Sequence, residues 1–486
     1  MLDQNQIPLL KALKDVADRP HAAFYTPGHR RGQGIPEPLA AVLGSQVFRA
    51  DVPELPELDN LFAPFGVILE AQELAAEAFG SDRTRFLING STVGIVAAIL
   101  ATCNPGEKIL VPRTVHRSVI SGLVMSGAIA VFVNPEIDPD WNIPLSLTPE
   151  AIASTLRRHP DIKAVLAVHP TYRGICGDLE KIAAIVHTHH IPLLVDEAHG
   201  GHFGFHPDLP ISALAAGADL TVQSTHKVLG AMNQASMLHI KGDRIDISRL
   251  DRALEMLQST SPSYLLLASL DAARHQMATQ GKKRIDQALK LAGRARNRLH
   301  QLPLLRVYDA ESRPGCLARD RTRLTVDVAG LGLSGYEADE ILHRQFRVTA
   351  ELPDFQNLTF IVSPANTQQD IDDMAEGFAG LIRRAEELER DSCRFPRTVL
   401  PTPPASVPAL SPRDAYFAET AQLPIGECRG RIGAECICPY PPGIPVLWPG
   451  EVISEEAIAF LRQVRALGGQ IVGCGDPSLE TLRVVV

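Results

Sequence analysis

The sequence has no excess of basic residues, no long hydrophobic run and no recognisable export signal. Its 47 Lys and Arg residues are outnumbered by 56 Asp and Glu residues, which gives a formal net charge of −9. Nonspecific binding to nucleic acid needs a basic surface, so that class of protein is disfavoured. The longest apolar run, Ile95–Cys103, is too short to span a bilayer, and the N-terminal segment lacks the apolar core of a signal peptide. We therefore expect a cytoplasmic protein that binds neither nucleic acid nor a membrane.

Cysteine is also scarce, and the few cysteines stand mostly in apolar contexts. A chain of 486 residues with eight cysteines is not a disulfide scaffold. We expect buried, reduced thiols. The positions are Cys103, Cys176, Cys316, Cys393, Cys428, Cys436, Cys438 and Cys474.

Length and composition predict a soluble globular protein of several domains. At about 150 residues per domain, the length suggests roughly three, and the 45% of hydrophobic and 21% of charged residues are ordinary for such proteins. Changes in pattern along the chain predict an N-terminal arm (1–65), a large α/β domain (66–302), a small α+β domain (303–394), a proline-rich linker (395–412) and a C-terminal domain (413–486).

In the large domain, short apolar runs alternate with stretches of helical period, which predicts an α/β fold with a mainly parallel, buried sheet of seven strands. The predicted strands are Arg85–Ile88, Lys108–Val111, Ala130–Val133, Lys163–Val168, Pro192–Val195, Asp219–Gln223 and Ser236–Ile240. The predicted helices are Val93–Ala101, His116–Met125, Pro149–Arg158, Leu179–His187 and one long stretch, Ser263 to about Leu302, which is either continuous or broken once.

Chemistry-bearing residues follow three of these strands, where open α/β sheets bind ligands. Asn89-Gly90-Ser91-Thr92-Val93-Gly94 precedes a helix and could cradle a phosphate with backbone N–H groups, although the same residues also cap helices that bind nothing. The strand ending at Val195 runs into Asp196-Glu197-Ala198-His199. The strand ending at Gln223 is followed by Ser224-Thr225-His226-Lys227. A lysine directly after a buried strand is unusual, because lysine is rarely buried without a function.

Taken together, the three motifs supply what pyridoxal 5'-phosphate needs. A lysine binds its aldehyde, a cradle holds its phosphate, and a carboxylate keeps its ring nitrogen protonated so that the ring accepts electrons. Asp196 and Lys227 have the residue types for two of these tasks and stand 31 residues apart. His116, at a predicted helix start, could stack on the ring.

The motifs also resemble, in order and over nearly the whole chain, the Orn/Lys/Arg decarboxylases of the short bacterial group that lacks an N-terminal wing. The segments that carry the resemblance are TPGHRRGQG, ELPELDNLF, NGSTVG, DEAHGGH, STHKVLG, QSTSPSY and PYPPGIPVLWPGE. The resemblance implies the aspartate-aminotransferase fold (fold type I of pyridoxal-phosphate enzymes) and active sites shared between subunits of a homodimer or higher homo-oligomer.

The resemblance also implies roles for individual residues. Lys227 would bind the cofactor's aldehyde, Asp196 its ring nitrogen, and Ala198 and His116 its two faces. His199 would lie close to the cofactor in a catalytic role. Phosphate ligands would be Ser91, Thr92, Ser224 and His226, with Thr260 and Ser261 of the Gln258–Ser261 run reaching across the dimer interface.

The implied reaction is decarboxylation of a basic amino acid, most simply arginine to agmatine and carbon dioxide. Lysine or ornithine, giving cadaverine or putrescine, and a pyridoxal-phosphate aminotransferase or lyase remain alternatives. The cationic end of such a substrate needs an acidic receptor. The candidate receptors are Asp51, Glu54 and Glu57 in the arm and Glu435 near the C-terminus, of which Glu435 is preferred. His29 in the arm is a further candidate substrate contact.

Two other classes of protein are less well supported. His199, His202 and His206, with His187, His189 and His190 upstream, have spacings that could bind zinc in a metal hydrolase. These histidines follow a strand in a glycine-rich turn, so we expect no metal site. A binding protein that kept the fold without activity is disfavoured by the presence of both Asp196 and Lys227.

Overall fold

The computed structural model describes residues 1–309, 312–389 and 408–486. The chain forms two compact units, Met1–Thr102 with Pro192–Arg284 (unit 1) and Cys103–Ile191 with Ile285–Val486 (unit 2). Most of the predicted linker lies outside the described residues. The five predicted segments therefore stay a prediction.

The helices of the described residues include one of 37 residues, α11. It is continuous, whereas the sequence analysis allowed for one break in this stretch. They are α1 (Pro8–Asp18), α2 (Glu37–Leu43), α3 (Gln46–Ala50), α4 (Val67–Phe79), α5 (Gly90–Thr102), α6 (Arg117–Ser126), α7 (Pro149–Arg158), α8 (Leu179–Thr188), α9 (Thr225–Val228), α10 (Ile247–Leu257), α11 (Tyr264–His300), α12 (Gly335–Ile341), α13 (Gln368–Glu389), α14 (Pro412–Phe417) and α15 (Glu455–Ala466).

The strands include all seven predicted ones, each within two residues of its predicted bounds. They are β1 (Arg83–Leu87), β2 (Lys108–Pro112), β3 (Ile129–Val133), β4 (Ile137–Asp138), β5 (Ile143–Pro144), β6 (Ile162–Val168), β7 (Ile175–Cys176), β8 (Leu193–Asp196), β9 (Leu220–Gln223), β10 (Ser236–Ile240), β11 (Arg306–Val307), β12 (Ala318–Arg319), β13 (Arg323–Asp327), β14 (Leu352–Pro353), β15 (Asn357–Ile361), β16 (Thr420–Pro424), β17 (Cys438–Tyr440), β18 (Gln470–Val472) and β19 (Thr481–Val485).

A mixed sheet of seven strands is present, which confirms the predicted fold class. Within unit 1, β8 and β9 are parallel, with Asp196 in register with Val222. The next strand, β10, is antiparallel to β9 and to β1. Within unit 2, β2 pairs in parallel with both β3 and β6. Parallel pairing brings the carboxyl ends of β8 and β9 to one edge, so the residues that follow them become neighbours.

The N-terminal arm packs on unit 1 through its apolar residues. Leu9, Leu13 and Leu58 join a buried cluster with Phe86 and Tyr264. α1 is amphipathic, with Leu9, Leu13 and Val16 on its buried face. Burial of this apolar stripe in the cluster stabilises the helix, since a helix of 11 residues is marginal by itself.

Unit 2 holds a four-stranded antiparallel sheet in the order β11-β13-β15-β14. Its apolar face packs against α13 through residues such as Phe360 and Phe378, whose rings meet edge to face. In the same unit, α12 is followed by a π-helical turn at Leu342–Phe346. A separate buried cluster near the C-terminus includes Ile437, Leu461 and Val484.

Five of the seven cysteines in the described residues are buried, as expected, whereas Cys436 and Cys474 are partly exposed. None of the described helices combines the length and the apolar character needed to cross a membrane.

Candidate active site

Lys227 lies in α9, the short helix that begins one residue after Ser224 at the end of β9. Its Nζ lies 3.1 Å from Nε2 of His199, which follows β8. Since β8 and β9 are adjacent and parallel, the two side chains come together from the ends of neighbouring strands. The contact allows the imidazole and the amine to exchange a proton.

Asp196 is the last residue of β8, and its side chain is almost fully buried. Its Oδ1 accepts a hydrogen bond from the backbone N–H of Ala198 at 3.1 Å. Burial raises the pKa of the Asp196 carboxyl, and the charge of Lys227 acts in the opposite direction. A buried carboxylate of this kind is stabilised by a cation.

The motif predicted to hold a phosphate lies at the N-terminus of α5. The Ser224 hydroxyl donates to the Ser91 hydroxyl at 2.7 Å, so two predicted phosphate ligands from distant parts of the chain are joined. Thr92 is exposed in the first turn. The first backbone N–H groups of a helix have no partner in the helix itself, which favours an anion at this end.

Gly94 lets α5 approach the sheet. A Cβ at this position would lie 2.7 Å from side-chain atoms of Leu87 and Val222, which belong to β1 and β9. Only a glycine fits against the two strands at this distance. The helix start is thereby fixed close to the strand that leads to Ser224 and Lys227.

His226 has its Nδ1 2.9 Å from the backbone carbonyl of Ala235. The carbonyl can only accept, so Nδ1 carries the proton and donates. Burial lowers the pKa of His226, which favours the neutral ring. Nε2 is then the acceptor, and it would need a proton to donate to a phosphate.

Sequence reasoning missed the role of Glu197. Its carboxylate is fully buried and accepts hydrogen bonds from Ala213 N (2.7 Å), Gln223 Nε2 (2.7 Å) and Thr221 Oγ1 (3.2 Å). Burial raises the pKa of Glu197 to about 7. The glutamate therefore ties the end of β8 to β9. Sequence analysis assigned a role only to the neighbouring acid, Asp196. The local sequence does not show which of the two carboxylates is held by hydrogen bonds.

The Gln258–Ser261 run contacts the phosphate motif of its own chain. Gln258 Oε1 accepts from the backbone N–H of Ile88 at 2.9 Å, and Asn89 Oδ1 accepts from that of Ser259 at 3.2 Å. Thr260 and Ser261 are exposed. Their reach across a dimer interface stays a prediction.

In the arm, His29 Nε2 lies 3.1 Å from Asp51 Oδ2. The histidine side chain is 15% and the aspartate 35% exposed, so the carboxylate is open on one side. Two of the three predicted substrate contacts are thereby brought together within unit 1.

The third, Glu435, belongs to unit 2 and has other partners. Its Oε1 accepts from the backbone N–H of Gly475 at 2.7 Å and its Oε2 from that of Arg483 at 2.9 Å. Both carboxylate oxygens accept hydrogen bonds from backbone amides, which is typical of a carboxylate that stabilises a turn. The assignment of Glu435 to the substrate stays a prediction.

His116, also in unit 2, is the N-cap of α6. Its Nδ1 accepts from the backbone N–H of Ser118 at 3.2 Å. The ring also lies close to Gly443, because a Cβ on that glycine would come within 3.5 Å of His116 Nε2. The cap fixes the orientation of the imidazole, as a stacking residue requires.

A cavity of about 490 Å³ lies within unit 2. Residues that follow β2 and β3 line it, among them Arg113, Thr114 and Asn134, together with the aromatic side chains of Tyr336 and Phe460. No sequence motif predicted this cavity, since its walls come from widely separated segments.

Among the described residues, no group of three or more His, Cys, Asp or Glu side chains is arranged to hold a metal ion. His206 instead accepts through Nδ1 from the backbone N–H of Asp208 at 3.1 Å.

Comparisons with known proteins show similarity over the whole length of the chain. The family model of the Orn/Lys/Arg decarboxylase major domain matches residues 7–312, and that of the C-terminal domain of the same family matches residues 398–474. An arginine decarboxylase of Halalkalibacterium halodurans is 40% identical over 100% of this chain and 99% of its own length. An arginine decarboxylase of Bacillus subtilis is 38% identical with the same coverage. The structure of the constitutive lysine decarboxylase of Escherichia coli has a TM-score of 0.83 and 22% identity, and covers 100% of this chain and 82% of that one.

Proposed function

The chain belongs to the Orn/Lys/Arg decarboxylase family, and we propose that it binds pyridoxal 5'-phosphate at Lys227 and converts L-arginine to agmatine and carbon dioxide. The observation that carries the proposal is the grouping in unit 1 of the Lys227 amine, the buried Asp196 carboxylate and the Ser91–Ser224 pair.

The residues present fit this cofactor. Lys227 is the amine for its aldehyde. The buried carboxylate of Asp196 suits a protonated ring nitrogen, because a cation offsets the cost of burying its charge. Ser91, Thr92, Ser224 and the first N–H groups of α5 suit the phosphate. We further propose that His226 joins them and that Ala198 and His116 pack on the ring.

When bound, the cofactor supplies an electron sink for the pair left on Cα as carbon dioxide departs. The residues of this chain hold the cofactor's charge and supply the proton. Asp196 keeps a positive charge on the ring nitrogen. Lys227 and His199 lie within hydrogen-bond distance and hold the proton that Cα must receive. Glu197 fixes the strand ends that carry Asp196 and Ser224.

The choice of arginine rests on the relatives at 38–40% identity over the full chain, which are named arginine decarboxylases. The lysine decarboxylase of known structure is 22% identical and supports the fold alone. For the guanidinium we propose Asp51, positioned by His29, since a planar cation suits an accessible carboxylate. Glu435 would first have to give up two backbone amides.

We also propose that the protein acts in the cytoplasm as a homodimer or higher homo-oligomer. The exposure of Thr260 and Ser261, next to residues that bind the phosphate motif, leaves them available to a partner's phosphate site.

The test is to supply the purified chain with pyridoxal 5'-phosphate and to give it L-arginine, L-lysine and L-ornithine separately. We expect agmatine and carbon dioxide in equal amounts from arginine, without a keto-acid acceptor. Lys227→Ala should abolish both products, whereas Lys241→Ala, which changes an exposed lysine of the same unit, should not. Faster formation of cadaverine or putrescine, or dependence on a keto acid, would contradict the proposal.

A further inference from the structure

Two cysteines in unit 2 lie close together without being bonded. The Sγ atoms of Cys436 and Cys438 are 3.9 Å apart. The residue between them, Ile437, belongs to the buried cluster near the C-terminus, and its backbone pairs with Leu447. Since successive side chains of extended backbone point to opposite faces, Cys436 and Cys438 share the face away from that cluster.

The two thiols are not equivalent. The hydrogen bond between the two thiols is the main cause that lowers the pKa of Cys436, and the nearby charges of Arg117 and Arg113 act in the same direction, against burial. The same pairing, with burial, raises the pKa of Cys438. Cys436 is partly exposed, whereas Cys438 is buried. A partly exposed cysteine whose thiol pKa is lowered, next to a second thiol, is the arrangement of a redox-sensing pair.

We propose that Cys436 and Cys438 form a redox-modification site, in which hydrogen peroxide oxidises Cys436 and Cys438 resolves the product as a disulfide. In the first step, the Cys436 thiolate attacks one peroxide oxygen, the O–O bond breaks, and the departing hydroxide takes up a proton as water. In the second, the Cys438 sulfur attacks the Cys436 sulfur, the S–O bond breaks, and a second water leaves with the Cys438 proton. One peroxide thus takes two electrons from two thiols.

The disulfide would be strained and therefore easily reduced. Two residues apart in extended backbone, Cα atoms lie roughly 6.6 Å from each other, which is near the upper end of the range that disulfides tolerate. Because disulfides favour a Cα separation of about 5.5–6 Å, closing the sulfur gap from 3.9 Å to bonding distance favours a local shortening of this segment. Strained disulfides are the reversible, regulatory kind.

The shortening would reach His116 through the following turn. Cys438 begins β17, and Gly443 closes the turn after it by donating to Pro439 O at 3.1 Å. Gly443 O accepts from the backbone N–H of Arg117 at 3.2 Å, next to His116. Because we assign His116 to the cofactor ring, oxidation should lower decarboxylation, and this consequence rests on the proposed function.

The site itself is tested by mass spectrometry. The full chain is treated with hydrogen peroxide, alkylated and digested with trypsin, which places both cysteines in one peptide (432–462) and Cys474 in another (466–483). We expect peptide 432–462 to escape alkylation and to be about 2 Da lighter, with reversal by dithiothreitol. In Cys438→Ser, dimedone should trap a sulfenic acid on Cys436.

Cys474 is the internal control, since burial raises its pKa to about 11 while it is also partly exposed. Oxidation of Cys436 no faster than that of Cys474, or no disulfide in the wild type, would overturn the site. Agmatine formation should fall in step with the disulfide in wild type and stay constant in Cys436→Ser. A disulfide without loss of activity would overturn the link to His116. Absence of any decarboxylation in the reduced protein would instead refute the proposed function and leave the mass result standing.

Discussion

Replacing Glu197 with glutamine should change how stability depends on pH. The carboxyl is fully buried, and burial raises its pKa from the ordinary 4.5 to about 7. The folded protein therefore holds a proton between these values that the unfolded chain releases. The sign follows from this difference: wild-type stability falls as pH rises through this window, because the folded state must then either keep the proton or bury a charge.

The size of the effect follows from the two pKa values. The cost of Glu197 to folding is about 0.8 kcal/mol at pH 5 and about 3.4 kcal/mol at pH 8. The loss over that interval is thus about 2.5 kcal/mol. Glutamine does not titrate and can still accept from Ala213 N. The unfolding free energy of Glu197→Gln, relative to wild type, should therefore rise by about 2.5 kcal/mol between pH 5 and pH 8.

Urea unfolding at several pH values between these limits measures the difference directly. Glu73→Gln, at an exposed position of the same unit, is the matched control and should show no such trend. A wild-type-to-variant difference that is flat across the range would refute the assignment of a raised pKa to Glu197.

Three further substitutions probe the site and its support. Lys227→Ala should remove both carbon dioxide release and the visible absorbance of bound pyridoxal 5'-phosphate; retention of either, by assay or spectrum, contradicts the role of the lysine. Ser91→Ala should weaken cofactor binding roughly tenfold, because one phosphate hydrogen bond is worth about 1–1.5 kcal/mol; fluorescence titration of the apoprotein measures it. Gly94→Ala should destabilise the chain by about 1–3 kcal/mol, since the new methyl overlaps Leu87 and Val222; an unchanged urea midpoint would show that the strands can move apart.

Much of the large domain could be predicted because its signals are local. Hydrophobic runs and helical periods lie within single segments, and the strand Ser236–Ile240 and helix Pro149–Arg158 were predicted to the residue. Asp196 and Lys227 could be singled out because they stand at or shortly after the ends of buried strands, and strand ends form the ligand edge of such sheets.

Partners across the chain could not be predicted. The contact between Ser91 and Ser224 spans 133 residues, and that between Gln258 and Ile88 spans 170. Such pairs depend on the order of strands in the sheet, which no local pattern encodes. Glu435 shows the same limit. The sequence indicates a carboxylate that could bind a cationic substrate, whereas in the structure this carboxylate accepts hydrogen bonds from two backbone amides.

The amino-acid sequence by itself determined which segments are strands and helices, and which residue types could bind a phosphorylated aldehyde. Packing decided what those side chains do, because a hydrogen bond or a raised pKa arises only when distant atoms meet away from water. Only the tertiary structure placed the buried Glu197 carboxylate in hydrogen bonds that link β8 to β9. It likewise brought Lys227 within hydrogen-bond distance of His199 and placed the sulfurs of Cys436 and Cys438 next to each other.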